Sequence, residues 1–304
     1  MALEKILNNI SSEETSIDDT WLADLSDTDL SKTTAFSIAW ESISEDRRIS
    51  IIERLIELTK NRIHLSYNYI FKYCLNDVFQ TVRQRAIEGL WECEDRSLIP
   101  IFCSLLKSDP SSDVRGAAAE GLSKFADLAN AGKILARDSD KVLKGLLSSI
   151  GNLEEDTTVR SKALISASVI NHDSIEENIN WAYESELLEL QSSAVYSMGR
   201  NGDPNWLPHL TKELENPVVE IRRMAVIACG SIEEPETIAH LLPLIDDEDL
   251  QVQLGTIYSI GKIGGSTARK ILKRIIQTGD PLLEEAARTS LQELETLDDP
   301  FLFE

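Results

Sequence analysis

The chain has 304 residues, 42% of them hydrophobic, with 30 basic against 52 acidic side chains and a net charge of −22. That excess repels nucleic-acid phosphates and anionic membrane surfaces, so neither is an expected partner. No window approaches the roughly 18 consecutive apolar residues of a membrane span.

The charge is uneven along the chain. Residues 1–31 and 280–304 each carry eight acids and one base, so the two ends hold 14 of the 22 net charges. Acidic ends suit the solvated caps of a stacked array. The opening MALEKILNNISSEETSIDD has too short an apolar stretch for a secretory signal, and a cytoplasmic protein is expected. Cys74, Cys93, Cys103 and Cys229 show no CxxC spacing and read as ordinary thiols, not as a zinc site or a disulfide framework.

Taken in chain order, residues 1–60 read as a helical N-terminal cap, loose over 1–28. Within it, Leu30 to Trp40 faintly follows the pattern described next, and DRRISIIERLIELTK from Asp46 is an amphipathic helix. Residues 61–297 form a repeat array, and 298–304 an acidic tail. The array is anchored by Val82-Arg83, Val114-Arg115, Val159-Arg160, Leu190-Gln191, Ile221-Arg222, Val252-Gln253 and Leu283-Glu284. Successive anchors are 32, 45, 31, 31, 31 and 31 residues apart. A fixed period of this size marks a solenoid, in which each unit buries its apolar face against its neighbours.

Counting the anchor as position zero, position four is Ala86, Ala118, Ala163, Ala194, Ala225, Thr256 and Ala287. Position seven is Gly89, Gly121, Ser166, Ser197, Ala228, Ser259 and Ser290. At about 100° per residue, positions zero, four, seven and eight share one helical stripe, which is therefore the buried one. A second amphipathic helix precedes each anchor helix, as in LIPIFCSLL from Leu98, WLPHLTKEL from Trp206, TIAHLLPLI from Thr237 and ARKILKRII from Ala268. Asp109-Pro110, Asn216-Pro217, Asp246 to Asp249 and Gly279-Asp280-Pro281 supply the turns, through a proline break and an Asp or Asn cap. The 45-residue step between Val114 and Val159 holds 14 extra residues, about one more helix, within KFADLANAGKILARDSDKVLKGLLSSIGNL: either a lengthened helix pair or a functional insertion.

This signature over residues 65–297 resembles the HEAT-like repeats of the phycobilisome-lyase type. The resemblance implies an all-α fold without β-sheet, an α-solenoid coiled as a right-handed superhelix of about seven to eight helix pairs. It also implies an arginine ladder to turn acids. Arg83, Arg115, Arg160 and Arg222 keep the ladder residue, whereas Gln191, Gln253 and Glu284 replace it, so the ladder is expected to weaken toward the C-terminus. The TPLH turn of ankyrin repeats and the Trp-Leu-Gly-Tyr pattern of tetratricopeptide repeats are absent.

No catalytic residue, cofactor site or metal site is expected. His209 and His240 are one period apart, but two imidazoles do not complete a metal shell; His64 and His172 are isolated. Gly264-Gly265 and Gly199 to Gly202 have no preceding strand and no Walker lysine, which excludes a phosphate loop.

Position six lies about 240° from the anchor, away from the buried stripe. Its residues are Glu88, Glu120, Ile165, Tyr196, Ile227, Tyr258 and Thr289, acidic in the first two repeats and apolar or aromatic in the next four. Ser161, Ser168, Ser192, Gly199, Gly230 and Gly261 at positions two and nine suggest a groove floor beside this column. Ile165, Tyr196, Ile227 and Tyr258 are thus the candidate anchors for a partner on the concave face, with Arg200, Arg223 and Lys262 placed to meet its acidic groups. The opposing account packs this column between adjacent helices. Trp181 and Trp206 read as core, and Trp91 as exposed.

These features predict a monomeric, non-enzymatic scaffold for a protein segment. The family resemblance leaves a bilin-lyase-like enzyme as the alternative, and the charge opposes a DNA glycosylase of the HEAT-like kind.

Overall fold

The computed structural model describes residues 3–26, 34–62, 64–277 and 280–297, and every regular element among them is helical. The expected acidic tail, 298–304, lies outside the described residues, as does the start of the Leu30 to Trp40 segment. Two compact units divide the chain, Met1–Val159 and Arg160–Glu304.

The first unit comprises α1 (Leu3–Ser11), α2 (Asp19–Ala23), α3 (Thr34–Glu41), α4 (Glu45–Asn61), α5 (Asn68–Cys74), α6 (Gln80–Gly89), α7 (Leu98–Ser108), α8 (Ser112–Asn130) and α9 (Ala136–Ile150). Helix α4 starts where Ser44 accepts a hydrogen bond from the Arg47 backbone N–H, with Glu45 and Asp46 complementing the helix dipole. The Arg47 side chain then donates to the carbonyls of Ile10, Thr15 and Asn9 at 3.0, 3.0 and 2.7 Å. Those bonds tie α1 to α4. Trp21, Leu22 and Leu25 are buried, so residues within 1–28 join the core.

The second unit takes α10 (Thr157–Ala167) from Arg160 onward, then α11 (Asp173–Tyr183), α12 (Leu188–Asn201), α13 (Leu207–Glu213), α14 (Val219–Ile232), α15 (Ile238–Leu241), α16 (Leu250–Ile263), α17 (Gly265–Ile275) and α18 (Pro281–Leu297). Prolines at the starts of Pro204–Trp206, Pro235–Thr237 and α13 set the turn into each first helix. The anchor-bearing helices α12, α14, α16 and α18 pack in succession. In the first unit, α4, α6 and α8 do the same.

All seven position-four residues are fully buried, including Thr256, whose hydroxyl donates to the Val252 carbonyl at 2.8 Å. The small residues at position seven work differently in the two units. In the first, a Cβ built on Gly89 would fall 2.7 Å from the Phe71 ring, and one on Gly121 3.0 Å from Phe102. Glycine there makes room for a phenylalanine from the preceding helix. In the second, position nine meets position seven of the next repeat: a Cβ on Gly199 would lie 2.4 Å from the Ala228 Cα, and one on Gly230 2.5 Å from the Ser259 Oγ. Gly199, Gly230, Gly261, Ser161, Ser168 and Ser192 are buried. The glycines serve backbone-to-backbone packing of adjacent helices, and the groove floor expected from these small residues is not formed.

Buried arginine–carboxylate rungs cross the turns. Arg83 binds Asp109 through two bonds of 2.8 Å, Arg115 binds Glu155 at 2.9 and 2.7 Å, and Arg222 binds Asp247 at 2.9 Å through each of two nitrogens. A further rung, Arg48 to Asp77 at 2.9 Å, carries the ladder into α4, ahead of residue 61. In each case the arginine also donates to a backbone carbonyl, such as Asp109 from Arg115 and Asn216 from Arg222.

Arg160 departs from the expected rung. Five residues before the next anchor, where Asp77, Asp109 and Asp247 stand, the chain has Ser185, and the Arg160 guanidinium instead lies 4.7 Å from the Trp181 ring centroid. Ser185 keeps the turn bond, accepting from the Leu187 N–H at 3.1 Å. In the next repeat both members become amides, Gln191 and Asn216. Gln253 retains the backbone half alone, donating to the Asp247 carbonyl at 2.7 Å.

The 45-residue step is a lengthened helix pair. Helix α8 runs 19 residues against 14 for α12, α14 and α16; Gly132, at φ +66°, turns the chain; α9 adds 15 residues.

Candidate functional site

The apolar part of the position-six column lies wholly in the second unit, on α10, α12, α14 and α16. Polar bonds also join neighbouring repeats here. The Asn201 side chain donates to the Ser168 carbonyl at 3.0 Å and accepts from the Trp206 indole at 2.9 Å. Ser259 donates to the Val226 carbonyl at 2.9 Å. Adjacent column residues are therefore presented from helices whose backbones nearly touch.

Within that frame Ile165, Tyr196 and Ile227 are half-buried, and Tyr258 is 51% exposed. Tyr258 borders an open hollow of about 650 Å³ with Thr289, Gln292, Glu293 and Thr296 of α18. Tyr258 is thus the most exposed of the four.

The three candidate cations differ in what engages them. Arg223 is half-buried and paired with Glu220 of its own helix at 2.9 Å. Lys262 is exposed, 3.4 Å from the Ser231 hydroxyl and 3.8 Å from Glu233. Arg200 is half-buried in the last turn of α12.

The acidic part of the column falls in the first unit. There Glu88 binds Arg85 at 2.7 Å, and with Glu120, Lys124, Asp127 and Trp91 it lines a hollow of about 420 Å³. Trp91 is 57% exposed, as expected; Trp206 is buried, also as expected. Trp181 is not core: it is 40% exposed, its face covered by Arg160. Its spacing in the sequence matched an apolar stripe, and nothing in that spacing announced the arginine 21 positions earlier.

On the opposite helices, Tyr183 donates to Glu213 and accepts from Lys212 at 3.2 Å, while His209 sits between the Tyr183 and Trp206 rings at 5.6 and 5.8 Å. Burial and the Glu213 carboxylate push the Tyr183 phenol up. Hydrogen bonds from Tyr183, Asn216 and Lys212 outweigh burial and hold Glu213 low. The cluster pins α11 to α13. Among the described residues no group of three His, Cys, Asp or Glu side chains is arranged to hold a metal.

Stacked helix hairpins bridged by buried arginine–carboxylate rungs define an all-α solenoid of helical repeats. Residues 69–151 and 207–292, together more than half of the chain, match the model of HEAT repeats, and the chain belongs to that family. Among solved structures it is similar to the CpcE–CpcF complex of phycocyanin lyase from Nostoc sp. PCC7120. That match has 15% identity and a TM-score of 0.52, over 93% of this chain and 97% of that one. It is also similar to importin beta, at 14% identity and a TM-score of 0.50, over 96% of this chain and 46% of that one. At such identities the likeness is one of fold. No curated protein matches the sequence.

Proposed function

We propose that the protein is a non-enzymatic, cytoplasmic scaffold that acts as a monomer and binds a protein segment along the position-six column of residues 160–304. Ile165, Tyr196, Ile227 and Tyr258 are its anchors, and residues 1–60 cap the array. The observation that carries this reading is the change of the column from glutamate to isoleucine and tyrosine, ending in the half-exposed ring of Tyr258. Core packing does not require that change, because positions four, seven and nine already supply the close contacts. Tyrosine is a frequent interface anchor, offering apolar area with a polar tip.

No helix among the described residues is long and apolar enough to cross a membrane. The likeness to the phycocyanin lyase complex supports no lyase activity here, since shared fold does not transfer chemistry. Affinity capture with the wild type and with Tyr196→Asp/Tyr258→Asp tests the proposal. A protein held by the wild type and lost by the folded double variant supports it. Retention of every captured protein by that variant overturns it.

A further inference from the structure

The lengthened repeat of the first unit builds a cavity of about 640 Å³ between α7 and α9, a volume ordinary for a small-molecule site. Three lysines line it: Lys107 from α7, and Lys141 and Lys144 from one face of α9. In a chain of net charge −22 the wall thus carries three positive charges. All three are exposed, and among the described residues none of them forms an ion pair. The lining acid is Glu155, and both its oxygens are taken by Arg115 at 2.9 and 2.7 Å, so it is not a counter-ion for the lysines.

A second feature of the same wall points to a ligand. Ser149 lines the cavity with 8% of its surface exposed, and its buried hydroxyl has no hydrogen-bond partner. An unpartnered buried hydroxyl is costly, and an oxygen-rich ligand beside it would remove that cost. On the α7 side, the exposed Pro100 offers an apolar surface.

We propose that this cavity binds a small organic phosphate, its phosphate held by Lys107, Lys141 and Lys144 and its apolar part against Pro100. Three ammonium groups suit a dianion, which lysine binds as a set of point charges. The site lies where the chain departs from its 31-residue period, so the 14 extra residues acquire a use beyond spacing. It is independent of the column in residues 160–304.

The test titrates the full-length protein with 2-naphthyl phosphate at low ionic strength, with inorganic phosphate and 2-naphthol as separate arms. The site predicts saturable one-to-one binding of 2-naphthyl phosphate, tighter than either half alone and weakened by added salt. Lys141→Ala/Lys144→Ala weakens it at least about tenfold, as loss of two charge-assisted contacts requires. Ser148→Glu, which sets a negative charge on the same wall, abolishes it, and Lys133→Ala off the cavity leaves it unchanged. All these residues are exposed, so the variants keep the wild-type melting temperature. Cys103, which also lines the cavity, is alkylated more slowly when 2-naphthyl phosphate is bound. Absence of saturable binding, equal affinity for 2-naphthol, or affinity unchanged in the lysine variant overturns the proposal.

Discussion

Gly199 and Ala228 are so close that a Cβ on the glycine would lie 2.4 Å from the Ala228 Cα and 2.6 Å from its Cβ. One period later, Gly230 stands in the same relation to Ser259. Adjacent second helices of residues 160–304 therefore meet backbone to backbone, and the face they present is as rigid as the packing beneath it.

Gly199→Ala is expected to destabilise the protein by about 1–3 kcal/mol or more, because two helices must separate to admit the methyl group. Gly255→Ala is the contrast: its new Cβ would make an ordinary contact with Val226 at 3.5 Å, in a helix interior. That substitution gains up to about 0.5–1 kcal/mol. Urea unfolding of the two variants measures both signs.

The Arg222–Asp247 rung predicts strong non-additivity. Both side chains are about nine-tenths buried. Arg222→Gln alone leaves a buried carboxylate without its cation and is expected to cost about 3 kcal/mol. Arg222→Gln with Asp247→Asn is expected to recover most of that loss, since the preceding repeat carries Gln191 and Asn216 at the same two places. A double-mutant cycle by urea denaturation reads the coupling.

Asp95 sets a pH dependence. The Lys72 ammonium and the Ser97 backbone N–H hold its carboxyl down at about 2. A depressed carboxylate stabilises the fold above its unfolded pKa of about 4, and that contribution disappears as pH falls through the folded value. The stability difference between wild type and Asp95→Asn is therefore constant from pH 7 to about 5 and shrinks toward pH 2. Comparing the two proteins at each pH cancels the general effect of protonating so acidic a chain.

Thiol reactivity separates the four cysteines. Burial pushes Cys229 up to about 12 and Cys74 well above its ordinary value. Under native conditions at pH 8, alkylation is expected at the half-exposed Cys93 and Cys103, with Cys74 and Cys229 protected until the protein unfolds. Mass mapping of the modified sites checks this.

The repeat was legible in the sequence because stacking imposes small residues at fixed places in each period. Position four, from Ala86 to Ala287, marks the core without exception. Position nine was legible as small but not as packed, because a glycine admits a ligand or a neighbouring backbone equally well; only the proximity of Gly199 to Ala228 decides between them. The rungs divide likewise. Arg83 and Asp109 follow the pattern, whereas the fate of Arg160 depended on Ser185, 25 residues away, and on the side-chain direction of Trp181. Arg48 was hidden because its repeat lacks an aliphatic anchor: Arg47 occupies that place and turns to α1 instead. Of the cavity lysines, Lys141 and Lys144 lie in the one stretch where the period fails and Lys107 on the helix before it, so no column comparison brings them together.

The proposed function puts a protein segment against the column at Tyr258. Site-specific photo-crosslinking in the native cell tests it most directly, with benzoylphenylalanine in place of Tyr258 and, as the control, in place of the exposed Asn205 in the turn before α13. A discrete crosslinked partner is expected from position 258, absent from position 205, and lost when Ile227→Asp is added to a chain that still folds. Equal adducts from both positions, or none from position 258 while the partner still co-purifies, would contradict it.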